Sequence, residues 1–147
     1  MKKIALAVSA IMLSAAAAAA ADDPIASRKA LMDANGAAAA VSAAMLKGDM
    51  DYNPTVAKAA IMTLRAVSHS YGAFFPAGSD QGQTKASPKI WEDMAGFQKE
   101  LGKFQEQADA AAKASGKDGP ADLAAFKAAV TPILGDCKDC HQSYRLK

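Results

Sequence analysis

The chain has 147 residues, 51% of them hydrophobic and 6% aromatic, with 17 basic and 15 acidic side chains. That length makes one domain with a sizeable core and leaves no room for a second. No basic run is long enough to address nucleic acid or a membrane surface.

Residues 1–21 read as a leader to be removed. Lys2 and Lys3 give a charged start, Ile4 to Leu13 a short apolar stretch, and Ser14 to Ala21 a small-residue tail with an A-x-A-like cut. That is the layout of a secretory signal peptide. The apolar stretch is too short and too alanine-rich for a membrane span. Cleavage after Ala20 or Ala21 leaves the domain at 22–147, and losing Lys2 and Lys3 leaves 15 basic residues against 15 acidic ones. The expected product is near neutral, has no membrane span and works in a bacterial periplasm. Disulfides and covalent haem attachment are both possible there.

Four helices follow. Asp23-Pro24 supplies a cap and a preorganised first residue for a helix to about Lys47, which Gly48 ends. Asn53-Pro54 repeats the signal, and Val56, Ala60, Leu64, Val67, Tyr71 and Phe74 form its apolar row, to an end near Phe75-Pro76. "PAGSDQGQTKA", 76–86, is loop by its local chemistry. Ser87-Pro88 opens a third helix with the row Ile90, Met94, Phe97, Leu101, Phe104 and Ala108. "SGKDG", 115–119, makes the next turn, and Pro120 starts a fourth helix. Its row is Leu123, Phe126, Val130, Ile133 or Leu134, Cys137, His141 and Tyr144, with a kink or restart expected near 128–132 because of Pro132. Helices of this length with short connections predict an all-α fold, an antiparallel four-helix bundle.

Both cysteines fall in "CKDCH", 137–141. On a helix, Cys137, Cys140 and His141 stand at i, i+3 and i+4 on one face, the spacing of C-x-x-C-H haem attachment. Two thiols bind the vinyl groups of one haem c, and the next residue places its imidazole under the iron. Structural zinc needs four ligands, and only distant His69 could join these three. A redox dithiol needs a strand before its helix, which is lacking. A Cys137–Cys140 disulfide would close too short a loop to stabilise much.

With "CKDCHQSYR" at 137–145, "FFPAGSDQGQTKASPKIWEDMAGFQ" at 74–98 and "RKALM" at 28–32, the chain resembles a class II cytochrome c, the cytochrome c′ family. The resemblance covers essentially the whole of 22–147. It implies a four-helix bundle with haem near the C-terminus, attached at Cys137 and Cys140, with His141 as proximal iron ligand. It places Arg28 and Arg145 in the haem vicinity, Arg28 toward a propionate. It also implies that the residue four after Arg28, Met32, faces the distal side of the iron. Members with leucine, tyrosine or phenylalanine there leave the iron five-coordinate; the low-spin branch binds it through methionine. Met32 therefore points to thioether–imidazole ligation, which raises the reduction potential and closes the iron to added ligands.

The expected function is a non-enzymatic one-electron carrier that meets redox partner proteins in the periplasm, as a monomer or homodimer. The alternatives are a five-coordinate cytochrome c′ binding nitric oxide or carbon monoxide, and a haem-free helical binding protein. Met62 is the second-choice ligand, His69 a surface residue, and Trp91 a packing or haem-edge residue.

Overall fold

The first two helices begin where two prolines follow capping residues. In the computed structural model, which describes residues 23–147, Asp23 caps α1 (Pro24–Lys47). Its carboxylate accepts from the Ile25 and Ala26 N–H groups at 2.9 and 3.1 Å. Asn53 caps α2 (Pro54–Ser70), accepting from Thr55 and Val56. Proline at the first helical position costs no hydrogen bond. Gly48 closes α1 at φ 81°, a conformation that a side chain would strain. The leader, with its cleavage site, lies outside the described residues.

The buried row of α2 is Ala57, Ala60, Ile61, Leu64, Val67 and Ser68. The predicted row was thus rotated at its start: Val56 is exposed and Ile61 belongs to the core. After Ser70 the chain tightens into one 3₁₀ turn, Tyr71–Phe74, and it is Phe75 that is buried.

The predicted third helix is two. A single turn, α3 (Lys89–Glu92), breaks at Asp93, and α4 runs Met94–Ala114. Asp93 leaves the helical region (φ −132°, ψ 59°) to cap α4, its carboxylate accepting from the Gly96 N–H at 3.0 Å. It also accepts from the Tyr144 hydroxyl at 3.0 Å. A short acidic side chain that can cap competes with helix continuation, and here the cap wins. The apolar row survives the break, with Ile90, Phe97, Leu101, Phe104 and Ala108 all buried.

Helix α5 (Leu123–Tyr144) starts three residues later than the expected Pro120, because Asp122 caps it through the Ala125 N–H. Pro120 is buried in the preceding turn, where its carbonyl accepts from the Tyr52 hydroxyl. The helix runs through Pro132 without the expected restart. Ala128 and Pro132 both lie on its exposed face, so water can satisfy the carbonyl that proline frees.

Helix α1 packs on α2, α2 on α4 and α4 on α5, whereas the α1–α5 seam is the thinnest of the four. One apolar cluster, including Met45, Leu64, Phe104, Phe126 and Val130, fills the middle of the bundle. A second, of Phe75, Ile90, Phe97, Leu101 and Tyr144, fills the end where the chain terminates. There Leu146 N–H donates to the Lys85 carbonyl (2.8 Å) and Ser87 N–H to the Tyr144 carbonyl (3.0 Å), strapping residues 85–87 to the end of α5. Among the described residues no helix is long and apolar enough to cross a membrane.

Gly96 is where this end is tightest, since a Cβ there would run into the Asp93 carboxylate and the Tyr144 hydroxyl. Gly96→Ala should lower stability by about 1–3 kcal/mol, read from the denaturant midpoint. The same cap has a pH signature. Asp93 is held below the ordinary carboxylate value, first by the Gly96 N–H and then by Tyr144. Its contribution is present above the unfolded value and is lost as pH falls through the lower folded one. Tyr144→Phe should therefore lose less stability than the parent between about pH 6 and pH 3, in melts at both pH values.

Candidate haem-binding site

The thin α1–α5 seam opens into a cleft of about 420 Å³. Arg28 and Met32 reach it from α1, Cys137, Cys140 and His141 from α5, and Arg145 from just beyond. All six residues singled out from the sequence thus share one cavity.

Cys137 and Cys140 are free and half-buried. Burial, then Asp136, push the Cys137 thiol up, against a hydrogen bond from Asn35; burial carries Cys140 to about 11. Both are neutral thiols at neutral pH. His141 corrects an expectation: it does not face the core but is exposed at the rim of the cleft. The cause is geometric, because the buried row of α5 passes through Ile133 to Tyr144 while the cleft interrupts the packing between them. Partial burial and then Arg145 lower its pKa, which keeps the imidazole neutral at pH 7 and able to bind metal.

Met32 is half-buried and packs at the edge of the central cluster as well as on the cleft. The other methionines of the domain are elsewhere. Met45 is 1% exposed in the core, Met62 and Met50 are on the surface, and Met94 is partly buried against the second cluster.

Arg28 is 3% exposed and largely committed to the protein. Its Nη1 donates to the Phe74 carbonyl (3.0 Å) and Ser79 Oγ (2.9 Å), and Nη2 to the Ser79 carbonyl (2.7 Å). The guanidinium also lies 4.8 Å from the centre of the Phe75 ring. Only Nε lacks a partner. Arg28 is thus first a clamp between α1 and the 74–79 segment. Arg28→Leu should cost roughly 2–4 kcal/mol by orphaning the buried carbonyls, with Arg28→Lys intermediate, in urea unfolding.

Trp91 packs on Phe75 and donates to the Pro76 carbonyl at 3.0 Å, away from the cleft. His69 is exposed and pairs with Asp109, 3.0 Å from Oδ1. Several further residues line the cleft without a site signal in the sequence: Asn35, Tyr71, Lys85, Glu100 and Asp136. Asn35 sits seven residues after Arg28, so helical spacing alone could have found it. Tyr71 was visible only as a core position; burial pushes its hydroxyl to about 12, so it stays protonated. Lys85 is placed by a long-range strap and carries no local signal.

The residues fit covalent haem. Two neutral thiols and an imidazole stand on adjacent positions of α5, and the facing wall of α1 is kept low by Gly36, where a Cβ would touch nothing within 4 Å, and by Ala39. Among the described residues three buried side-chain polar atoms lack partners, Arg28 Nε, Asn35 Oδ1 and Asp136 Oδ2, and all belong to residues lining this cleft.

A family model described as Cytochrome C′ matches residues 23–145. The chain belongs to the cytochrome c′ family. Among its relatives, a cytochrome c′ of Rhodopseudomonas palustris is 36% identical over 146 residues, 99% of this chain and 97% of that protein. A cytochrome c-556 of Agrobacterium tumefaciens is 33% identical, over 84% of this chain and 97% of its own. A solved structure of R. palustris cytochrome c′ superposes with a TM-score of 0.77 at 38% identity, covering 86% of this chain and 98% of that one. The four-helix bundle and a covalent haem c cofactor follow from membership of this family.

Proposed function

We propose that this member of the family is a periplasmic one-electron carrier, with haem c held at Cys137 and Cys140 and ligated by His141 and Met32. When bound, haem supplies an iron that takes and gives one electron. The chain's part is to hold it by two sulfurs, present a neutral imidazole from α5, and present a thioether from α1. A methionine and a histidine from different helices on one cleft are the observation that carries this reading. Thioether–imidazole ligation closes the iron to added ligands and favours electron transfer over gas binding.

A second reading has its own support. The family model and the R. palustris relative carry the name cytochrome c′, which fits the five-coordinate, gas-binding alternative better. In that case Met32 is only a wall of the cleft. Electron-transfer partners, and assembly as monomer or homodimer, belong to the same proposal.

Absorption spectra of the purified protein decide between the readings. Sharp low-spin bands when reduced, with a weak far-red sulfur-to-iron band when oxidised, support His141–Met32 ligation. A broad high-spin spectrum that shifts with carbon monoxide overturns it in favour of the second reading.

A further inference from the structure

The geometry points to Asp136 as a proton-binding site tied to the redox state of the cleft. Its carboxylate takes up one proton from water when the bound iron is reduced, and releases it on oxidation. The inference rests on haem lying in this cleft and not on which group fills the sixth position.

Asp136 stands on α5 directly before Cys137 and lines the same cavity. Its Oδ2 is buried with no hydrogen-bond partner. A carboxylate oxygen out of water and unpaired is costly, and taking a proton removes most of that cost. The surrounding charges do not supply a dedicated cation. On α5 its charged neighbour is Asp139, and from α4 come Glu100 and Lys103. Lys103 is already bonded to Glu100 at 2.8 Å. Across the cleft, α1 contributes the uncharged Asn35 together with Lys29, Asp33 and Arg28, the last already bonded to Phe74 and Ser79; the strap contributes Lys85, and His141 and Arg145 line the same cleft beyond Cys140. Burial first, with Glu100 and Asp139 adding, moves the carboxyl above its ordinary value, while Lys103 opposes them.

An electron arriving in the cleft adds one negative charge beside this group. That disfavours a second one on the carboxylate, so protonation becomes easier in the reduced state. The balance is one electron from a one-electron donor, one proton from water, and one new O–H bond on Asp136. Nothing else changes.

The test is spectroelectrochemical titration of the holoprotein across pH. The potential should be level at low pH, fall as pH rises through a window above the ordinary carboxylate range, and level again. The steepest slope should approach about 59 mV for each tenfold change in proton concentration, one proton per electron. Asp136→Asn should flatten that step, while Asp139→Asn keeps it. A parent potential that is level throughout the window, or an unchanged step in Asp136→Asn, overturns the inference; the latter would assign the proton to another group such as a propionate. If Asp136→Asn fails to take up haem, reduced-minus-oxidised infrared spectra of the parent carry the test. They should show a protonated-carboxyl band gained on reduction at pH values inside the step, and its absence overturns the assignment. Absence of haem from the parent would instead remove the haem reading itself, and this inference with it.

Discussion

Met32→Leu should turn the protein from low-spin to high-spin and open it to carbon monoxide without unfolding it. Leucine is close to methionine in volume, so the edge of the central cluster keeps its packing and stability should change by less than about 1.5 kcal/mol. What leucine lacks is the sulfur lone pair. Among the described residues no other methionine can substitute: Met45 is locked in the core, Met50 and Met62 lie on the surface, and Met94 packs against the second cluster. Among the remaining cleft donors, the Tyr71 hydroxyl is held protonated and the Asn35 amide is a weak ligand for ferrous iron. The far-red band should vanish, the potential should fall, and carbon monoxide should shift the reduced spectrum. A variant that keeps the parent spectrum would show that Met32 never bound the iron, and would leave the cytochrome c′ name as the better guide.

Much of this arrangement could be read from the residues, and the failures have identifiable causes. The helix starts at Pro24 and Pro54 follow from cap chemistry that acts within three residues. The row from Ile90 to Ala108 was legible because period and burial agree there. Asp93 shows the limit of periodicity. An apolar row can run unbroken across a backbone break when the break is made by a polar residue off the row. Pro132 shows the converse. Pro132 predicts a kink or a restart near 128–132, and the helix does not restart: Ala128 and Pro132 lie on a solvent face, where water can take the freed carbonyl. Val56 and Leu123 each extend an apolar row by one more step, yet both are exposed, in the first turn of a helix at the bundle's end.

The site divides in the same way. Cys137, Cys140 and His141 were visible because three donors occupy one helical turn. Arg28 and Met32 were reached only through the resemblance, since nothing local to "RKALM" says which helix it faces. The structure brings them to the same cleft and changes the meaning of Arg28. Its buried guanidinium is engaged with Phe74 and Ser79, leaving one nitrogen over. Asp136 had no signal at all. A lone aspartate beside a cysteine is unremarkable until the fold places its oxygen out of water.

Replacing both cysteines by alanine should abolish covalent haem, and each single variant should keep it through one bond. On α5 the two sulfurs stand three residues apart, with Cβ atoms about 5–6 Å from each other on one face of the helix. That face is the wall of the cleft. Each sulfur can bond independently, so the losses are not additive: one thioether still tethers the group, and none leaves it held only by packing and by axial ligands. The raised thiol values sharpen the comparison with a Cys137–Cys140 disulfide. Both groups are neutral at pH 7, and exchange needs the thiolate, so the folded pair is slow to oxidise. Denaturing gels stained for haem, with intact mass, read the result directly. The parent should carry one haem mass, each single variant one haem with its α-band shifted to longer wavelength, and the double variant none. A parent two mass units light with no haem would identify the disulfide instead. In that protein the cleft between α1 and α5 would have to bind something other than haem.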